Sequence, residues 1–189
     1  MSVAVAAYAL SLAFLPEFRL RVSPLAGRLM SAWPGIALAH FAGGGVALAV
    51  GVLQFAQRLR LQRPVIHRWL GRIYLVSVLL GGSTGLIMAT RSGGGVIAHI
   101  GFGALAALWL WTTIQAYRAI RVRQVELHRA WMFRSFSLAL AAVTLRIFLP
   151  LGLLTDWPSG TVYAVISWVC WVPNLVIAMR FAPLRGRVD

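Results

Sequence analysis

HRWLGRIYLVSVLLGGSTGLIMA, residues His67–Ala89, opens on a titratable ring beside a guanidinium and then turns apolar, with no charged side chain between Arg72 and Arg91. A helix rising 1.5 Å per residue crosses the roughly 30 Å hydrocarbon layer in about 20 residues, so this stretch reads as a membrane span. Runs of the same kind recur on either side of it. The second segment runs from Pro34 to about Gln57, and Pro34 suits a helix start. The third starts at Pro64 or His67 and reaches Ala89, with Ser92–Gly95 as the turn. The fourth is Val96–Arg118, the fifth about Arg129–Leu154 and the sixth Gly160–Phe181. A first segment, about Ser2–Phe18, is marginal in length and stops at Pro16-Glu17. The polar–apolar alternation of a membrane barrel is absent. The expected fold is an all-α polytopic membrane bundle of six spans, or five if the first segment does not cross.

The chain has 189 residues, is 60% hydrophobic and carries a formal charge of +14. Such a charge raises the question of nucleic acid, but its placement answers in favour of a membrane. Every basic residue is Arg, and most lie at the ends of apolar runs. Arg58, Arg60, Arg63, Arg68 and Arg72 fill one connection; Arg118, Arg121, Arg123, Arg129 and Arg134 fill another; Arg180, Arg185 and Arg187 close the chain. The opposite connections hold Arg91 and, across Gly152–Gly160, no Arg. This positive-inside pattern puts the Arg-rich loops and the C-terminus in the cytoplasm of a bacterial inner-membrane protein, with anionic headgroups as partners. If the first segment spans, Arg19, Arg21 and Arg28 fall outside, against the bias. The N-terminus lacks the basic start of a cleaved signal peptide, and a single Cys170 gives no disulfide framework.

The opening motif is written twice. HRAWMFRS begins at His128, 61 residues after His67, and His99 follows His40 by 59. Gln54 matches Gln115, and Arg60 matches Arg121. Segments two and three thus pair with four and five as a parallel repeat, which predicts a pseudo-two-fold axis along the membrane normal. The chain then reads as one membrane domain, 1–189, with a peripheral N-terminal segment 1–33, a repeated four-helix core 34–155, and a peripheral sixth span with a basic tail 156–189.

Each core helix carries one histidine near its start. His40 and His99 therefore fall toward the outer side, and His67 and His128 toward the inner side. Steps of three or four residues put small residues on the face of each: Gly44 and Ala47 after His40, Gly71 after His67, Gly103 and Ala106 after His99, and Ser135, Ala139 and Ala142 after His128. Such faces let helices approach closely, or leave room for a flat cofactor. Arg146, 18 residues after His128, shares its face and lies deep in span five, where insertion costs roughly 2.5–3.5 kcal/mol, so it should point inward to a partner. By the same count Arg58 shares the face of His40, and Tyr117 that of His99.

No nucleophile–base–acid set is legible, which argues against hydrolysis. A zinc or copper site needs three or four ligands, and each side offers two histidines, with Glu126 beside His128. Two histidines facing across a bundle suit axial ligation of a haem iron, with Arg near the propionates. Interfacial contact with lipid phosphate is the plainer reading of His67-Arg68 and His128-Arg129.

HRWLGRIY, HRAWMFRSFSLALAAVTLRIFLPL and SWVCWVPNL resemble the signatures of a bacterial membrane-protein family, domain of unknown function 2306, over about His40–Met179. That resemblance implies a small multi-span inner-membrane protein. More loosely, four histidines on four consecutive helices are similar to the di-haem cytochromes b that reduce ascorbate radical or ferric iron. This likeness implies one haem b shared by His40 and His99 and another by His67 and His128. Face and level in the sequence would put Arg146 at the outer pair and Arg58, Arg68 and Arg129 at the inner one, as propionate neighbours. The chain departs from those cytochromes in its shorter histidine spacings and shallower inner histidines. The expected function is transmembrane electron transfer, with a quinone or another redox partner. Two alternatives stand beside it. A cofactor-free subunit of a larger membrane complex would dock through Trp109, Trp111, Trp168 and Trp171. A small-solute transporter would use Arg146 and Asn174, although a hydrogen bond in the core explains Asn174 more simply.

Overall fold

A computed structural model describes residues 2–15 and 31–184, and among these every regular element is helical. The stretches holding Pro16-Glu17, Arg19, Arg21, Arg28, Arg185 and Arg187 lie outside the described residues. The elements are α1 (Ser2–Phe14), α2 (Pro34–Gln54), α3 (Gln57–Gln62), α4 (Pro64–Ala89), α5 (Gly95–Arg121), α6 (Val125–Ala139), α7 (Ala141–Leu153), α8 (Ser159–Val169) and α9 (Val172–Phe181). Five stretches are long and apolar enough to cross a membrane: α2, α4, α5, α6 with α7, and α8 with α9. The 13-residue α1 is shorter, about 20 Å at 1.5 Å per residue. The helices thus give five spans plus a short apolar helix, and large apolar side chains such as Val96, Ile97 and Trp111 stay exposed along them, as a lipid-facing surface requires.

The chain forms two compact units, residues 1–88 and 89–189. In the first, α1 lies against α2, burying Ala6, Ala9, Leu12 and Ala13. The helices α2 and α4 meet backbone to backbone. A Cβ added at Gly43 would lie 2.8 Å from both Gly81 N and Ser77 O. That contact sets how closely the two axes approach, and Ala47, Leu48, Tyr74 and Val78 are buried with it. The helix α2 ends at Gln54, because Ala56 is extended at φ −68°, ψ 106°. Arg58 therefore belongs to the separate short helix α3. Its expected place on the face of His40 needed an unbroken helix, and the break removes it.

In the second unit α5 packs on α6 and α8, α9 on α6, and α8 on α7. The turn into α5 runs close to α8: Gly94 has φ +91°, and a Cβ there would lie 2.8 Å from Ala164 N and Gly160 O. Two spans are broken part-way. The α6–α7 span changes at Leu140, whose carbonyl accepts from both Val143 N (2.9 Å) and Thr144 N (3.1 Å). The α8–α9 span changes at Cys170–Trp171, just before Pro173, which has no N–H to give and sits at the start of α9. Within a bilayer each carbonyl freed by a break needs a donor from the protein. Side chains four residues on supply them here: the Trp171 indole N–H donates to Ser167 O (2.7 Å), and the Asn174 amide donates to Cys170 O (3.1 Å). Asn174 also donates to Thr144 Oγ1 at 2.9 Å, and Thr144 Oγ1 donates to Leu140 O at 3.1 Å. The two breaks are joined by one short chain of hydrogen bonds.

The expected outward tryptophan face splits. Trp111 and Trp168 are exposed, whereas Trp109 and Trp171 are buried inside the unit. Trp171 turns inward because its indole covers the carbonyl that the break leaves open.

Candidate functional site

Three histidine rings are fixed by main-chain carbonyls, and the fixing nitrogen differs among them. His40, half-buried on α2, donates from Nδ1 to Gly81 O on α4 at 2.9 Å. The glycine contact one turn on, at Gly43, brings that carbonyl within reach. His128, half-buried on α6, donates from Nδ1 to Ala116 O on α5 at 2.8 Å. A carbonyl only accepts, so Nδ1 carries a proton in both rings, and Nε2 is the nitrogen left to offer a lone pair when such a ring is neutral. His99 is the reverse. Its Nε2 donates to Ser92 O, in the turn before its own helix, at 3.0 Å, so Nε2 is the nitrogen that carries the bonded proton. His67 is half-buried on α4.

Each histidine pair expected from sequence draws one ring from each unit: His40 and His67 from the first, His99 and His128 from the second. The two stretches matched in the sequence differ in detail. His40 reaches across to α4, while its counterpart His99 bonds back to the preceding turn. The glycines four residues after His40 and His99 have room beside them: a Cβ at Gly44 would meet nothing within 4 Å, and at Gly103 only Ala89 Cβ at 4.0 Å. At Gly71, after His67, the Gln54 Oε1 would stand 3.5 Å away in ordinary contact.

The arginines expected near propionates have other neighbours. Arg146 is half-buried, and its Nη1 donates to Ala142 O on its own helix at 2.8 Å. Arg58 is exposed and bonds Gln62 at 3.1 Å. Arg129 is exposed and ion-paired with Glu126. Arg68 is exposed on α4.

The side chain that sequence reasoning passed over is Arg134. It is 6% exposed, Nη2 donates to Ala182 O at 3.2 Å, and the guanidinium carbon lies 4.9 Å from the centre of the Trp131 ring. The signal was present in the repeat. Trp69 and Arg72 stand three apart, as Trp131 and Arg134 do, and Arg72 lies 4.7 Å over the Trp69 ring. Helical spacing makes this stack in both copies. In the first copy the arginine is exposed; in the second it is buried.

A family model described as a predicted membrane protein (DUF2306) matches residues 37–181. The chain belongs to that family. The likeness read from HRWLGRIY and HRAWMFRS is thereby shown, and the DUF2306 region takes in all four histidines, both Trp-x-x-Arg stacks and the Asn174–Thr144 link. No curated protein and no solved structure matches the chain.

Proposed function

We propose that this DUF2306 protein is a b-type haem protein of the bacterial inner membrane that passes electrons across it, its Arg-rich loops cytoplasmic. The observation that carries the reading is the fixing of His40 and His128 through Nδ1. A ring held by Nδ1–H to a carbonyl has its orientation and tautomer set, and Nε2 is then the nitrogen for a metal. His128 is the better placed of the two, since its Nε2 makes no hydrogen bond among the described residues. One such ring falls in each expected pair, His40 with His99 and His128 with His67. Neither Gly44 nor Gly103, each taken in its own unit, carries a side chain that would crowd a flat ligand. Bound haem would supply one-electron chemistry; the chain would hold it, set its orientation and keep water away. For His99 to ligate through Nε2, its bond to Ser92 must be given up, so the pair of His67 and His128 is favoured over the outer one. Arg68 is free of acidic partners among the described residues and remains the leading propionate contact, ahead of Arg129, which Glu126 already engages.

Expression with δ-aminolevulinate, purification in mild detergent and a reduced-minus-oxidised visible spectrum test the reading. A b-type α-band is expected, and changing both His67 and His128 to Ala should remove one component while leaving that of His40 and His99. A colourless preparation overturns it.

A second reading, a cofactor-free subunit of a larger membrane complex, is favoured by the Gly43–Gly81 contact. There the small face beside His40 is spent on backbone packing. Transport is less well supported, because the Asn174 amide is committed to Thr144 and Cys170.

A further inference from the structure

We propose that Arg134 is the anchor of a binding site for a phosphate-type oxyanion, built where α6 meets the end of α9. The charge balance asks for it. Arg134 is a guanidinium more than nine-tenths buried, and Nε and Nη1 make no hydrogen bond. The ion pair Arg129–Glu126 lies elsewhere, and no carboxylate of the described residues pairs with Arg134. Burying a charge without a partner is costly, and the Trp131 stack engages only the face of the guanidinium, leaving its in-plane N–H donors unanswered. The single bond to Ala182 O uses one donor of five. Nε lies on one side of the bonded Nη2 and Nη1 on the other, so each edge of the fork keeps a donor for an anion's oxygens.

The position selects the chemistry. Ala182 caps the end of α9, so the guanidinium stands level with the end of the α8–α9 span, where headgroups begin, and not at mid-membrane. Exposed Arg180, in the last turn of α9, adds positive charge at the same level. Trp131, half-buried and stacked on the guanidinium, is the cover that an incoming phosphate displaces. The site is separate from the haem reading. His128 and Ser135 turn toward α5, where Ser135 Oγ lies 2.6 Å from Thr113 Oγ1, whereas Arg134 turns toward α9. The phosphate can come from an acidic phospholipid or from solution.

Both sources are tested on the full chain, delipidated in a neutral detergent, with short-chain phosphatidylglycerol and inorganic phosphate as probes. Wild type should bind phosphatidylglycerol, and Arg134→Gln should bind it at least about tenfold more weakly, the usual loss for a charged hydrogen bond. Arg118→Gln, on an exposed arginine of α5, should bind as wild type does. Competition by inorganic phosphate supports the site and assigns it to a soluble anion; failure to compete supports it and assigns it to lipid. Equal binding by wild type and Arg134→Gln, or binding of neither probe by wild type, overturns the proposal. Should Arg134→Gln fail to fold, tryptophan emission decides. Titration should change wild-type emission and lose most of that change in Trp131→Phe. Equal changes in both proteins place the ligand elsewhere and overturn the proposal.

Discussion

Two neighbouring glycines on α2 meet opposite surroundings. At Gly43 a methyl group would run into Gly81 N and Ser77 O, both backbone atoms that cannot step aside without moving α4. Gly43→Ala should therefore destabilise by about 1–3 kcal/mol, the usual cost of overpacking, seen as a lower melting temperature in detergent. At Gly44 a methyl group meets open space, and alanine is the better helix former by about 1 kcal/mol. Gly44→Ala should leave the melting temperature level or raised. In the haem reading it should also lower haem content per protein, because the space it fills is the space the ring needs. Asn174 offers a third test. Asn174→Ala and Thr144→Val should each cost about 0.6–1.7 kcal/mol, the range for hydrogen bonds between membrane helices. Their effects should be less than additive in a double-mutant cycle, since both remove the same bond.

At the scale of the element, the spans were legible because hydropathy and length alone decide them. Pro34, Pro64, Ala89 and Phe181 stand at helix ends where the sequence put them. The breaks were only half legible. Pro173 stands beside one, yet the geometry changes at Cys170–Trp171, since a proline acts on the carbonyls that precede it. Nothing in the run from Leu138 to Ala142 announces the other, which shows only in the partners of the Leu140 carbonyl. The end of α2 at Gln54 was equally silent, and it carried Arg58 off the face of His40. The histidines were found readily as rare polar residues on apolar helices. Which ring nitrogen each one uses depends on a carbonyl far along the chain, Gly81 for His40 and Ala116 for His128, and periodicity holds no such information. Arg134 was hidden by its abundance: among eighteen arginines placed by topology, one buried residue looks like the rest until its neighbours are known. The second unit's interior should also feel its buried hydroxyl pair. Ser135→Ala leaves Thr113 Oγ1 its bond to Trp109 O, so a loss below about 1 kcal/mol is expected.

At the scale of the molecule, charge and helix order set the topology. Within the second unit α5 ends on Arg121 and its connection to α6 holds Arg123, while the α7–α8 connection holds Asp156. Cys170 is buried and is the chain's only cysteine, so a Cys170→Ser background permits single reporters. In sealed cells a membrane-impermeant maleimide should label Asp156→Cys and spare Arg123→Cys; the reverse pattern would invert the proposed orientation. One further consequence belongs to this scale. The clasp from Asn174 through Thr144 to Leu140 ties the α6–α7 and α8–α9 spans at the very places where each departs from a straight rod. Neither can bend or lengthen there alone. A bilayer that thins or thickens is met by the two as a single jointed strut, so the broken spans should track membrane thickness in step while the unbroken α5 can only tilt.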